Sequence, residues 1–261
     1  MISIHRINLA LLACLLLVGS YLGSVPKHSG KLTVAVASSL KVPLEEVTAA
    51  FEDQYEIDVE LISASSGVLA TQILHGAPYD LFLSADLQYP QKVFEQGKTF
   101  FEPQIFTLGS LVFWSNTPLL GKSAEDILQK NQQQNIAIAN PKFAPFGKAA
   151  KQWLKENELY QHVQERLVFG ENVTQVNQFI FSDQVSAAFS SSSAIDMTQL
   201  REKGHWKVLP LKIPHGAVII QQEDNQDRQI HRAELFMDYL FGKRAQCVFQ
   251  QFGYKNPPKK Y

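Results

Sequence analysis

Two strand-to-helix junctions in this chain end on paired serines. In "LTVAVASSLKVPLEEV", residues 32–47, an apolar β-like run stops at Ser38-Ser39, and a helical pattern follows with Pro43 in its first turn. In "VELISASSGVLATQIL", residues 59–74, the same change falls at Ser65-Ser66, beside Gly67. The first four N–H groups of a helix have no partner within the helix. Together with the helix dipole they attract anions without a cationic side chain. A serine placed there adds a rotatable hydroxyl donor. Ser39 and Ser66 are therefore candidate donors to a small anion. Taken alone, each serine is more often a plain N-cap. Repetition at two successive junctions weakens the cap reading, and spacing alone takes the anion site no further. Three further stretches have the same form: "IANPKFAPFGKAAKQWL" at 138–154, "LVFGENVTQV" at 167–176 and "AAFSSSSAI" at 187–195.

Alternating elements must position these junctions. Strand patterns fall at Leu32–Ala37, Val59–Ser63, Leu81–Leu83, Ser110–Trp114, Ile136–Ala139, Leu167–Phe169, Val185–Phe189, Lys207–Leu209 and Ala217–Ile220. Between them, Leu40, Leu44, Val47 and Phe51 mark one face of a helix, and so do Leu69 and Ile73 ahead of a stop at Gly76. Ala233, Phe236, Tyr239, Leu240 and Phe249 suggest one long closing helix. Strands alternating with helices predict an α/β protein with mainly parallel sheets. In such folds, ligands bind where strand ends meet helix starts.

Composition narrows the function. A net charge of −1 with acids and bases interspersed argues against nucleic-acid binding. His5 and Arg6 precede the apolar run "LALLACLLLVG", and no acidic residue occurs before Glu45. A basic start and a short apolar run predict a secretory signal over residues 1–24, with Ser20, Gly23 and Ser24 as cleavage positions and an uncleaved anchor as the alternative. "LLAC" at 11–14 loosely resembles a lipoprotein box, but the apolar run continues past Cys14. Removal of that segment leaves Cys247 as the one cysteine, read as a small core residue.

"VAVASSL", "ISASSGVLATQILHGAPYDLFLSAD", "NPKFAPFGKAA" and "AELFMDYLFGKRAQCVFQQFGYK" resemble the periplasmic molybdate-binding proteins of ABC transporters. The likeness runs from about Lys31 to Lys255. It implies a two-lobed periplasmic-binding fold of the second type, with one lobe from 31–107 plus 218–261 and the other from 108–217. It implies crossings near "FTLGSLVFW" and "KIPHGAVII", with molybdate, or tungstate, in the cleft between the lobes. Carried over by motif, the hydroxyl donors are Ser39 and Ser66, and the backbone amides are those of Phe146 and Val173. Those four would meet the metal only through the oxygen atoms of molybdate. A fifth position, often tyrosine in the family, falls on Ser190, or on Phe189 after a one-residue slip. The resemblance further implies a monomer that works with a membrane permease and an ATPase, without cofactor or catalysis.

The residues also admit other readings. The same fold could hold another oxyanion, such as sulfate, or could have lost ligand binding. "SSLK" at 38–41 matches the Ser-x-x-Lys of penicillin-binding serine enzymes, but the chain has "SDQ" at 182–184 where those have Ser-Asp-Asn, and no Lys-Thr-Gly. Asp80, Ser84 and Asp86 suit turn and cap roles better than metal ligation. Lys41 and Lys148 read as solvated helix residues.

Overall fold

The computed structural model describes residues 31–119, 121, 123–130, 135–196, 200–222 and 227–257. The N-terminal apolar segment, with Cys14 and the cleavage positions, lies outside them. So does most of the polar run "QKNQQQN". No helix among the described residues is long and apolar enough to cross a membrane.

Eight strands form one sheet: β1 Leu32–Ala37, β2 Val59–Ala64, β3 Leu81–Ser84, β4 Gln104–Ser115, β5 Ile136–Ala139, β6 Leu167–Gly170, β7 Ala187–Ser191 and β8 His205–Ile219. Their order is β2-β1-β3-β8-β4-β7-β5-β6. The helices are α1 Lys41–Tyr55, α2 Ser66–Leu74, α3 Gln88–Glu95, α4 Ala124–Lys130, α5 Pro145–Glu156, α6 Tyr160–Val163, α7 Val173–Phe181, α8 Ser192–Asp196, α9 Leu200–Lys203, α10 Asp227–Phe241 and α11 Lys243–Gln251.

Pairing divides the sheet into two halves. β1 pairs in parallel with β2 and β3, and β5 in parallel with β6 and β7. Only β4 and β8 run through both halves, antiparallel to each other. β8 meets β3 over Gly216–Ile219, and β4 meets β7 over Leu111–Ser115. Between these contacts, Thr107–Ser110 and Lys212–His215 pair with each other as a two-stranded crossing ribbon, with Lys255 bridged to Leu108.

The predicted strands at Lys207–Leu209 and Ala217–Ile220 are one strand of 15 residues. Pro210 and Pro214 look like breaks, yet both are tolerated. Pro210 lies in the irregularity between the pairs Ser110–Lys212 and Val112–Val208, and Pro214 lies in the ribbon opposite Leu108. A missing N–H costs little at a bulge or beside an open edge. The closing helix is two helices, α10 and α11, broken at Gly242, which takes an extended conformation as N-cap of α11. Cys247 is exposed, which corrects its reading as a core residue. Ala245, Val248 and Phe249 form the buried face of α11. Cys247 is about 200° around the helix from both Ala245 and Phe249.

The apolar face of α1 is buried as its spacing predicts, with Leu44, Val47 and Phe51 fully covered and Leu40 just before it. Phe51 meets Phe236 and Tyr239 of α10 edge-on, at 4.9 and 5.3 Å between centroids. This packing fixes the carboxyl half of α1 against α10. On the other half, a Cβ at Gly147 would stand 1.9 Å from the Ala139 carbonyl oxygen. The start of α5 is therefore pressed onto the end of β5. Gly147→Ala is expected to reduce soluble yield and lower the melting temperature by more than about 5 °C, because backbone meets backbone with no flexible atom to yield. Thermal unfolding of the purified variant checks this.

Candidate functional site

The four residues Ser39, Ser66, Phe146 and Val173 come together. They share one small cavity of about 10 Å³, lined by Ala37, Ser38, Ser39, Ser65, Ser66, Ala85, Ala144, Pro145, Phe146 and Val173. Each is buried: Ser39 is 6% exposed, Ser66 0%, Phe146 2% and Val173 4%. The cavity lies where the ends of β1, β2, β5 and β6 meet the starts of the helices that follow. Three first turns open on it, those of α2, α5 and α7. Pro145, at the first position of α5, has no N–H to leave unpaired. Among the described residues, none that lines the cavity carries a charge.

Neither serine is a helix cap. The N-cap of α2 is Ser65, with no side-chain cap bond, and Ser66 is already inside the helix. Ser38–Leu40 form a short 3-10 turn ahead of α1, with Ala37 at its N-cap and no side-chain cap bond. The two hydroxyls are thus released from the job serine usually does at a junction. Ser66 Oγ accepts a bond from the Ala85 amide at 3.0 Å, leaving its own proton to donate. Ser39 Oγ is buried with no partner among the described residues. An unsatisfied buried hydroxyl costs about 1–3 kcal/mol. The Ser39 carbonyl is the reverse. It accepts from Ser193 Oγ at 2.8 Å and from the Tyr254 hydroxyl at 2.7 Å, which fills both lone pairs.

At α7, the N-cap Asn172 accepts from the Gln175 amide at 3.1 Å. That bond satisfies the third-position amide and leaves those of Val173 and Thr174 without an intrahelical acceptor. The ring of Phe146 turns away from the donors and packs against His215 of the crossing ribbon, at 5.9 Å between centroids.

Ser190 does not line this cavity. It is fully buried and donates to Asn177 Oδ1 at 2.7 Å, within its own half of the sheet. Phe189 packs on Phe113 and Trp153 in the core. The cavity thus draws nothing from either of the residues onto which the family's fifth position falls.

Several direct bonds join the two halves around the cavity. The Gly67 amide donates to the Phe143 carbonyl at 2.8 Å, and the Tyr89 hydroxyl to the Lys142 carbonyl at 3.0 Å. Lys148 bonds Gln88. A Cβ at Gly67 would stand 2.6 Å from the Tyr89 oxygen and 2.8 Å from Phe143 O. Gly67 is thus approached closely by Tyr89 of its own half and by Phe143 of the opposite one.

The acidic residues near the site have structural work. Asp80 accepts the Thr33 amide at 2.7 Å. Asp86 accepts the Ser84 hydroxyl at 2.9 Å and the Tyr89 amide at 3.2 Å at the start of α3. Burial raises the pKa of both carboxyls. Lys41 of "SSLK" lies 3.8 Å from Glu45 on the exposed side of α1. Burial pushes the Tyr254 phenol up to about 12, against the opposing bonds with Ser193 and Ser39, so it remains a protonated donor at neutral pH. No sequence pattern points to Tyr254, because its contact with Ser39 spans most of the chain.

Two halves joined by a ribbon, with a small lined cavity between them, define a two-lobed solute-binding protein of the second topological type. The chain belongs to the bacterial extracellular solute-binding protein family, whose model matches residues 32–255. It is 30% identical over 242 residues to the molybdate-binding protein ModA of Azotobacter vinelandii, covering 90% of this chain and 94% of that one. It is 28% identical to ModA of Rhodobacter capsulatus over 88% of this chain and 90% of that one. Among solved structures, the periplasmic molybdate-binding protein of Azotobacter vinelandii superposes with a TM-score of 0.79 at 30% identity, covering 87% of this chain and all of that one. The sulfate-binding protein SubI of Mycobacterium tuberculosis shares the fold, with a TM-score of 0.71 at 14% identity, over 87% of this chain and 86% of that one.

Proposed function

We propose that this protein captures molybdate, and tungstate equally, between its two lobes and delivers it to an ABC importer. One observation carries the reading: a buried, unpartnered Ser39 hydroxyl in a cavity whose described lining offers hydroxyls and amides and no charge. A fully deprotonated tetrahedral dianion accepts hydrogen bonds and donates none. Uncharged donors can saturate it. Hydrogen bonds to a charged group contribute about 1.5–3 kcal/mol each. Around five of them offset association costs and reach the roughly 11–12 kcal/mol of a low-nanomolar ligand. The donors proposed are the hydroxyls and backbone amides of Ser39 and Ser66 and the amides of Phe146 and Val173. Ser190 is left out, since its proton is given to Asn177.

Phosphate is disfavoured by the same chemistry. At neutral pH it keeps a proton that needs an acceptor, and no described lining residue carries a carboxylate. Sulfate is a dianion too, but smaller, so it is proposed to bind more weakly than molybdate. The relatives named for molybdate support the same ligand for this chain. A signal over residues 1–24 would place the mature protein in the periplasm, and the subunit makes and breaks no bond. Its partners are a membrane permease and its ATPase. The lack of a cation in the cavity leaves the anion free to escape when the lobes part.

Ser66→Ala tests a single donor. It should weaken molybdate binding by about 1–3 kcal/mol, and it also strips the Ala85 amide of its acceptor. An unchanged calorimetric titration would remove Ser66 from the site.

A further inference from the structure

Four consecutive serines, Ser190–Ser193, close β7 and open α8. Ser190 is tied within its own half. Ser192 and Ser193 point across the seam. Ser192 Oγ donates to the Gly253 carbonyl at 3.3 Å, and Ser193 Oγ to the Ser39 carbonyl at 2.8 Å. Gly253 and Tyr254 follow α11, and the next residue, Lys255, bridges Leu108 at the crossing ribbon. Tyr254 meets Ser193 Oγ at 3.2 Å and Ser39 O at 2.7 Å.

Proton accounting makes this arrangement directional. Each hydroxyl has one proton. Ser193 gives its proton to Ser39 O, so in the Ser191–Ser193 contact of 2.9 Å Ser191 is the donor. Tyr254, at 2.7 Å, gives its proton to Ser39 O as well. Every proton in the chain Ser191, Ser193, Tyr254 runs toward one carbonyl. Ser39 thus has a saturated carbonyl and a wholly unsatisfied hydroxyl.

We propose that Ser193 and Tyr254 form a closure latch that positions Ser39: Ser193 reaches the Ser39 carbonyl only when the two lobes meet, and the pair then fixes the Ser39 peptide so that its hydroxyl and amide face the anion. Both are positioning residues, since neither lines the oxyanion cavity. The latch rests on the oxyanion reading and adds to it the step that couples lobe closure to ligand retention. It acts on the closed complex. Its loss therefore speeds release and leaves capture by the open form unchanged. Tyr254 belongs to the ribbon side, and the pair is complete only once Ser193 arrives with the second lobe.

The test is stopped-flow measurement of molybdate association and dissociation for the wild type, Ser193→Ala, Tyr254→Phe and the double variant. Each single change removes one oxygen, and if one variant fails to fold the other still decides the matter. Each single variant should release molybdate about 3–10-fold faster, with association changed less than about 2-fold. The double variant should exceed the product of the two, because it leaves a buried carbonyl with no donor. Wild type that binds molybdate, with release unchanged in both single variants, would overturn the latch and leave the oxyanion reading standing. Equal losses in association and dissociation would show a general packing defect and also overturn it. A wild type that does not bind molybdate would overturn both.

Discussion

The double variant Ser39→Ala, Ser66→Ala is expected to lose about 2–5 kcal/mol of molybdate affinity, on the order of 30-fold to several thousand-fold. Both hydroxyls lie in one buried cavity, and the ligand's charge makes each lost donor costly. The two losses share a single anion, so the sum need not equal the separate effects. The prediction has a second arm that separates a binding role from a structural one. Ser39 Oγ has no partner among the described residues. Ser39→Ala therefore removes an unsatisfied polar atom, and the ligand-free variant should be as stable as the wild type or more stable by about 1 kcal/mol. Calorimetric titration and denaturant unfolding, run on the same preparation, check both arms. Lower ligand-free stability with unchanged affinity would make Ser39 a structural serine.

His215 carries the second large effect. It lies in the crossing ribbon, fully buried, with Nδ1 at 2.8 Å from the Ile213 carbonyl and Nε2 unpartnered. Its ring is surrounded by Phe106, Phe146 and Tyr254. Burial lowers its pKa from 6.5 to about 4, and the bond to Ile213 opposes that only in part. In the unfolded chain the imidazole takes up a proton near pH 6.5; in the folded chain it resists until about pH 4. The unfolded state therefore binds more protons between these values. Stability is complete above about pH 6.5 and falls as pH drops toward 4. A shift of this size corresponds to about 3 kcal/mol. His215→Gln keeps a donor for Ile213 and cannot titrate. Wild type should lose about 3 kcal/mol more than this variant between pH 7 and pH 4, measured by urea unfolding. Carboxylates titrate in both proteins and cancel in the comparison. Parallel profiles would show that His215 is not held neutral by burial.

Much of the frame was legible because it is local. β1 and β5 end at the predicted residues, where apolar β-branched runs meet turn residues. The helical spacing of Leu44, Val47 and Phe51 told which face of α1 is buried. The site's four converging residues were reached through motif likeness, since Phe146 and Val173 would contribute backbone atoms that no side-chain pattern announces. What escaped is non-local. Pro210 and Pro214 suggested two strands because the sequence does not show that β8 has one neighbour in the ribbon. Gly242 divides the closing helix at a point where apolar spacing continues across the break. Cys247 misled because a small thiol is usually buried, and the register of α11 turns it outward. Ser190 aligns with a family ligand position, yet Asn177, thirteen residues away, claims its proton. Tyr254 reaches Ser39 across a separation of 215 residues, beyond any periodicity.

Uncharged donors at four strand-to-helix junctions are the centre of this account, and calorimetry of the mature protein against molybdate, tungstate, sulfate and phosphate tests them most directly. Molybdate and tungstate should bind one per chain with nanomolar dissociation constants. Sulfate and phosphate should bind weakly or give no heat. Phosphate binding as tightly as molybdate, or no binding of molybdate, would contradict a cavity built to saturate a fully deprotonated tetrahedral dianion.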